Sequence, residues 1–246
     1  MVRIRPPPGI LPIFREPPPT EDERELTDED VLSLPIWYVN PADPKQVSPL
    51  TTTAAPLIGM HGSKPEDILK IARCLLSLNM PTNCIENILE FTGLFIEYRV
   101  ETFVRRRVYA PVDEEYLRCV VTPLKEKELE LARPFAIVLE IVSHDQGWAT
   151  NEQNLNGTYN GCWSWAEGQV LDTSENKATA RFPVCYNLRA LSTSRRHIQC
   201  VTDPLILQEL KMGSAVTLQL RAEYAGWVNE ANYGRISILF VAGLNI

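Results

Sequence analysis

Histidine is scarce in this chain, at 3 in 246 residues. His61, His144 and His197 stand too far apart for a metal-ligand pattern. Six cysteines, at positions 74, 84, 119, 162, 185 and 200, contain no C-x-x-C pair, which argues against a zinc or redox motif. No uncharged apolar run reaches the roughly 18–20 residues of a membrane helix. Arg3 and Arg5 lie near the start, but Pro6–Pro8 stand where a signal peptide needs its apolar core. The expectation is an intracellular chain, cytoplasmic or nuclear, whose reduced thiols act as small buried apolar groups. Asn156-Gly157-Thr158 then reads as a polar turn rather than a glycosylation site. No Ser or Cys occupies a nucleophile-elbow pattern, and no repeat of fixed period is visible. Nothing here calls for a metal or a cofactor.

What is present is unevenly distributed. The formal net charge is −7, and most of it is local: Glu21, Asp22, Glu23, Glu25, Asp28, Glu29 and Asp30 crowd one stretch, opposed only by Arg24. The rest of the chain is nearly neutral. A neutral body is a poor polyanion binder, because nucleic-acid affinity rests on clustered Lys and Arg. The one basic knot, Arg105-Arg106-Arg107, reads as a solvated helix end.

Twelve of the 19 prolines fall in residues 1–60. Proline removes a backbone donor and fixes φ, so this stretch is expected to be an extended, partly acidic leader. Inside it Val31, Leu32, Leu34, Ile36, Trp37 and Tyr38 form an apolar island. That island either docks onto the chain's own domain or serves a partner, and the leader also suits an arm holding a larger assembly. Residues 61–107 read as a helical unit. Ser63 and Glu66 make a capping-box pattern with Pro65 in the first turn. Ile68, Ile71, Ala72, Leu75 and Leu78 follow at helical spacing. A second helix begins near Thr82, and Phe95 to Arg107 reads as its continuation or a third. From Val108 the period becomes two. Phe135 to Val142 is a nearly continuous apolar run, as in a central strand buried on both faces. Segments 116–121, 158–166, 177–186, 196–201, 215–224 and 235–241 complete seven expected strands. The fold class is therefore mainly β: an antiparallel, jelly-roll-like β-sandwich over residues 108–246, behind the helical unit and the leader.

Three β-region segments are distinctive: Ser143-His144-Asp145-Gln146-Gly147-Trp148, Gly157-Thr158-Tyr159-Asn160-Gly161-Cys162-Trp163-Ser164-Trp165 and Tyr224-Ala225-Gly226-Trp227-Val228-Asn229. In this order, with Met80-Pro81-Thr82-Asn83-Cys84-Ile85-Glu86-Asn87-Ile88-Leu89 upstream, they resemble a family of largely uncharacterised fungal proteins. The resemblance spans roughly residues 80–246 and implies a domain architecture, not an activity. The upstream helix is also similar to the opening of an F-box, Leu-Pro-x-x-Ile-x-x-x-Ile-Leu. That likeness implies a ubiquitin-ligase adaptor as partner, held by Pro81, Ile85, Ile88 and Leu89. The alternative is a helix packed on its own β domain.

His144-Asp145 invites a hydrolase reading, but adjacent residues at a strand end point apart and no nucleophile pattern accompanies them. A structural role is expected for them, with Asp145 capping its own turn. The tryptophans say more. Trp163 and Trp165 are expected on one strand face with Tyr159, forming either core or a ligand wall. A loop site would be built from His144, Asp145, Gln146, Trp148 and Asn229, suited to a carbohydrate or a peptide. The sequence thus points to a non-catalytic interaction protein, with a protein partner or small ligand.

Overall fold

The computed structural model describes residues 26–50, 62–172, 177–178 and 181–245. Expectations for residues 1–25 and 51–61 lie outside the described residues. Residues 26–50 are not simply extended. Thr27 caps helix α1 (Asp28–Ser33) in a reciprocal capping box with Asp30. Strands β1 (Ile36–Asn40) and β2 (Asp43–Pro49) then form a hairpin. The prolines tolerate this because of where they fall. Pro35 separates α1 from β1, Pro41 lies in the turn, and Pro44 and Pro49 lie on β2, an edge strand whose outward amides need no ladder partner.

Helices α2 (Pro65–Ser77) and α3 (Thr82–Phe91) match the expected helical spacing. The expected Ser63–Glu66 capping box does not form. Lys64 is the N-cap, and Ser63 is instead drawn into a β-bridge with Ile96. Gly93, at φ 74°, ends α3, with the Leu94 amide bonding back to the Leu89 carbonyl. The expected helical continuation over Phe95 to Arg107 is corrected. Those residues form strands β3 (Phe95–Thr102) and β4 (Arg106–Tyr109), both paired with the long last strand. A domain boundary after residue 107 therefore does not match the sheet. The chain continues through β5 (Val112–Val120), β6 (Leu129–His144), β7 (Ser164–Asp172), β8 (Lys177–Ala178), β9 (Phe182–Tyr186), β10 (Arg195–Val201), short helix α4 (Pro204–Leu207), β11 (Ser214–Ala222) and β12 (Val228–Leu244).

Two sheets stack. The larger runs β2-β1-β10-β6-β12-β3, with β4 also on β12; the smaller runs β5-β11-β7-β8, with β9 also on β7. From β5 to β12 the chain repeatedly crosses between sheets, as in a jelly roll. All the pairings among these strands are antiparallel save one: β1 lies parallel to β10, with Ile36 beside Arg196 and Tyr38 beside Ile198. Leu139 and Ile141 of β6, Ile236 and Ile238 of β12, Val170 of β7 and Leu218 of β11 fill the space between the layers. Ile68, Ala72, Ile85 and Leu89 of α2 and α3 belong to the same core, packed where Leu129 and Leu244 end the long strands. The Leu244 amide donates to Glu86 across this contact, at 3.0 Å.

The outer face of the larger sheet is also buried. Val31 of α1 packs on Val142 and Tyr233, and Ile36 and Tyr38 pack on Val138, Ile198 and Cys200. The apolar island thus docks on its own sheet. Beneath α1, Glu140 is completely buried between Arg196 and Arg235, and Arg196 also donates to the Leu32 carbonyl at 2.5 Å. Among the described residues no helix is long and apolar enough to cross a membrane.

Candidate functional site

All three distinctive segments meet at the end of the sandwich remote from α2 and α3. β6 delivers Ser143 and His144 to that end, β12 begins there with Val228, and β7 begins there with Ser164. Asp145 leaves β6 into a turn completed by Gly147 at φ 83°, where an added Cβ would lie 3.0 Å from Ser192. The Asp145 carboxylate is completely buried and accepts three backbone amides: Gly147 at 2.8 Å, Ala190 at 2.7 Å and Leu191 at 3.0 Å. Burial pushes its pKa up to about 6 despite those amides. Asp145 therefore splices two loops, extending its expected turn-capping role to residues 190–191.

Asn229 is buried in the same way. Its Nδ2 donates to the carbonyls of Trp165 (2.8 Å) and Arg221 (3.1 Å), and its Oδ1 accepts from Asn187 at 3.0 Å. Gln146 bridges its own turn to β12. Its Nε2 donates to the Trp148 carbonyl at 2.8 Å, and its Oε1 accepts the Val228 amide at 3.1 Å. His144 places Nδ1 2.6 Å from the Asp145 carbonyl and Nε2 3.4 Å from Glu230. Burial alone would raise the Glu230 pKa, but His144, Arg105 and Arg107 together hold it below the usual carboxylate range. Of the five proposed loop-site residues, Asp145 and Asn229 are thus buried framework. Trp148 is 39% exposed.

The basic knot is corrected too. Arg105 and Arg107 pair with Glu230, and Arg106 pairs with Glu114, so these residues, at and just before β4, are matched with carboxylates rather than presented as a helix end. The expected strand over 158–166 begins only at Ser164, and residues before it form turns. Trp163 and Trp165 differ in exposure. Trp165 is buried, with its indole N–H on Glu167 at 2.8 Å. Trp163 is 40% exposed and meets Tyr224, itself 50% exposed, edge to face at 4.7 Å. Tyr159 turns away and lies 3.0 Å from Nε2 of His197, whose imidazole burial pushes down to about 3.

Two hubs were not singled out from sequence. Asn187 links Ser143, the His144 carbonyl, Ser164 and Asn229. Arg189 is completely buried. It donates to Asn156 Oδ1, the Gly161 carbonyl, and both the carbonyl and Oδ1 of Asn151, and it lies over Trp227 at 5.5 Å. The available signal was a pair of polar residues interrupting the apolar run from Val184 to Leu191.

The expected adaptor face is placed elsewhere. Ile85 and Leu89 lie in the protein's own core, while Pro81 is exposed and Ile88 is half-buried. Proline starts α3 as expected, but the apolar stripe that would engage an adaptor covers β12 instead. Cys119, Cys162, Cys185 and Cys200 are buried, with burial pushing the Cys162 and Cys185 thiols up to about 12; Cys74 and Cys84 are exposed, against expectation. Among the described residues no group of three His, Cys, Asp or Glu side chains is placed to hold a metal.

No family model and no curated protein matches the chain. Among solved structures, it is similar to the VP2 subviral particle of infectious bursal disease virus, with a TM-score of 0.39 and 9% identity over 60% of this chain and 33% of that one. It is also similar to the structure of the Gx strain of that virus, with a TM-score of 0.38 and 10% identity over 60% and 32%. This chain thus spans about a third of the length of the structures it matches, and the likeness carries no functional information.

Proposed function

We propose that the protein is a non-catalytic recognition module that binds a protein or a small ligand through the loop end of its sandwich. The observation that carries this reading is the division of labour at that end. The polar residues of the three distinctive segments engage one another and the backbone beneath the surface, while Trp148, Trp163 and Tyr224 remain on it. A catalytic site needs a base within reach of a nucleophile or substrate. Here the Asp145 oxygens face three amides and the His144 nitrogens face a carbonyl and a carboxylate. Rigid aromatic side chains on a fixed support are the usual anchors of a recognition surface.

The test compares affinity capture by the full chain with capture by a Trp148→Ala, Trp163→Ala double variant. The double variant is expected to keep its melting temperature and to lose the bound species. Undiminished capture overturns the reading.

A further inference from the structure

We propose that the ligand of this loop end is a neutral carbohydrate, an inference that rests on the recognition reading above. Three independent features of the surface converge on it. The first is aromatic. Trp163 and Tyr224 meet at an interplanar angle of 89° with both rings partly exposed, so they present an edge-and-face corner rather than a flat stacked pair. Apolar C–H faces of a sugar ring match such a corner, whereas a purely apolar ligand would leave the surrounding polar groups without partners.

The second feature is a set of oriented carboxamides. Arg189 takes the side-chain oxygens of Asn151 and Asn156, which turns their Nδ2 groups away from the guanidinium. Both residues are exposed, and neither Nδ2 donates to another protein atom among the described residues. Gln153 and Asn154 are exposed beside them, on the same loop. A carboxamide offers a donor pair and an acceptor in one plane, which suits vicinal hydroxyls that both donate and accept. Asn151 and Asn156 sit around the guanidinium that covers Trp227, and Gly161, two residues before Trp163, accepts from the same guanidinium. One buried side chain thus orients both carboxamides and holds the backbone two residues before Trp163.

The third feature is charge. Residues 146–165 contain no Lys or Arg, and residues 224–229 contain no charged side chain. Arg189 is completely buried with its donors directed at neutral oxygens, Arg221 is paired with Glu167, and the exposed charges beside these groups, Glu152 and Glu223, are carboxylates. An anionic ligand would find no counter-charge there. A peptide read by strand addition needs an unpaired strand edge, whereas these groups stand on turns before β7 and before β12. A neutral, hydroxyl-rich ligand fits all three conditions.

The experiment titrates the full chain with neutral tetra- to hexasaccharides of glucose, mannose and N-acetylglucosamine, and with an oligomeric uronic acid as the anionic comparison. Intrinsic tryptophan emission and calorimetry follow binding. Saturable binding of at least one neutral oligosaccharide is expected. Trp163→Ala and Tyr224→Ala should each weaken it about tenfold or more, and Asn151→Ala by less, all with unchanged melting temperature. Failure of every neutral oligosaccharide to bind, preference for the uronic acid, or binding indifferent to both aromatic substitutions overturns the proposal. The affinity-capture comparison separates the two levels. A captured protein or peptide lost in the aromatic variants, with no sugar bound, removes the carbohydrate inference and leaves the recognition reading; loss of neither signal removes both.

Discussion

Asn187 ties together four side chains and carbonyls from β6, β7 and β12, all below the surface. Removing such a hub leaves several buried polar groups without partners at once. Asn187→Ala should therefore lower the unfolding free energy by about 2–4 kcal/mol, read as a fall in the urea midpoint at unchanged m-value. Asp145 gives a different signature. Its pKa rises from 3.8 to about 6 on folding, so the native state binds its proton more tightly than the unfolded chain. Stability from this group is greatest below pH 3.8 and falls as pH rises through about 6, by up to roughly 3 kcal/mol. Asp145→Asn should flatten that part of the stability–pH curve, while costing about 1–3 kcal/mol throughout because its new N–H₂ meets an amide donor. A slope unchanged in the variant would assign the titration to another group. The site was legible only in part at this scale. Asp145 capping its own turn followed from local residue chemistry. Asn187 and Arg189 did not, because their partners come from segments up to tens of residues away that only the sheet topology brings together.

Among the elements, β3 shows most clearly why periodicity misleads. Phe95 and Ile96 are both buried, one on each face of the sheet, so the alternation that marks a half-exposed strand is blurred. The same pattern satisfies a helical template. The core segments of β6, β10, β11 and β12 were legible because they are long, β-branched and almost wholly buried. Helix α3 was legible as a helix, but not the destination of its apolar face. Its two sides make a direct comparison. Leu89 is completely buried against the long strands, whereas Phe91 is 92% exposed. Leu89→Ala should cost about 2–5 kcal/mol, and Phe91→Ala should stay within about 0.5 kcal/mol, both measured by chemical unfolding. Equal effects would mean that α3 is not seated as described.

For the molecule as a whole, the helices and the sandwich share one core. Ile68, Ala72, Ile85 and Leu89 pack in a cluster with Leu129, Phe240 and Leu244, and β3 completes an edge of the larger sheet. A fragment beginning at residue 108 would expose that apolar surface and lose the ladder along β12. It should therefore show poor amide dispersion by NMR and no cooperative melting transition, in contrast to the full chain. A dispersed spectrum from the fragment would restore an independent β domain. The N-terminal arm adds a matter of timing. The hairpin of β1 and β2 leaves the ribosome early, yet the strand that receives it, β10, follows about 160 residues later. Long-range closures of this kind come late in assembly. During synthesis this arm has to wait, its Trp37 and Tyr38 without their eventual neighbours, until β10 has emerged.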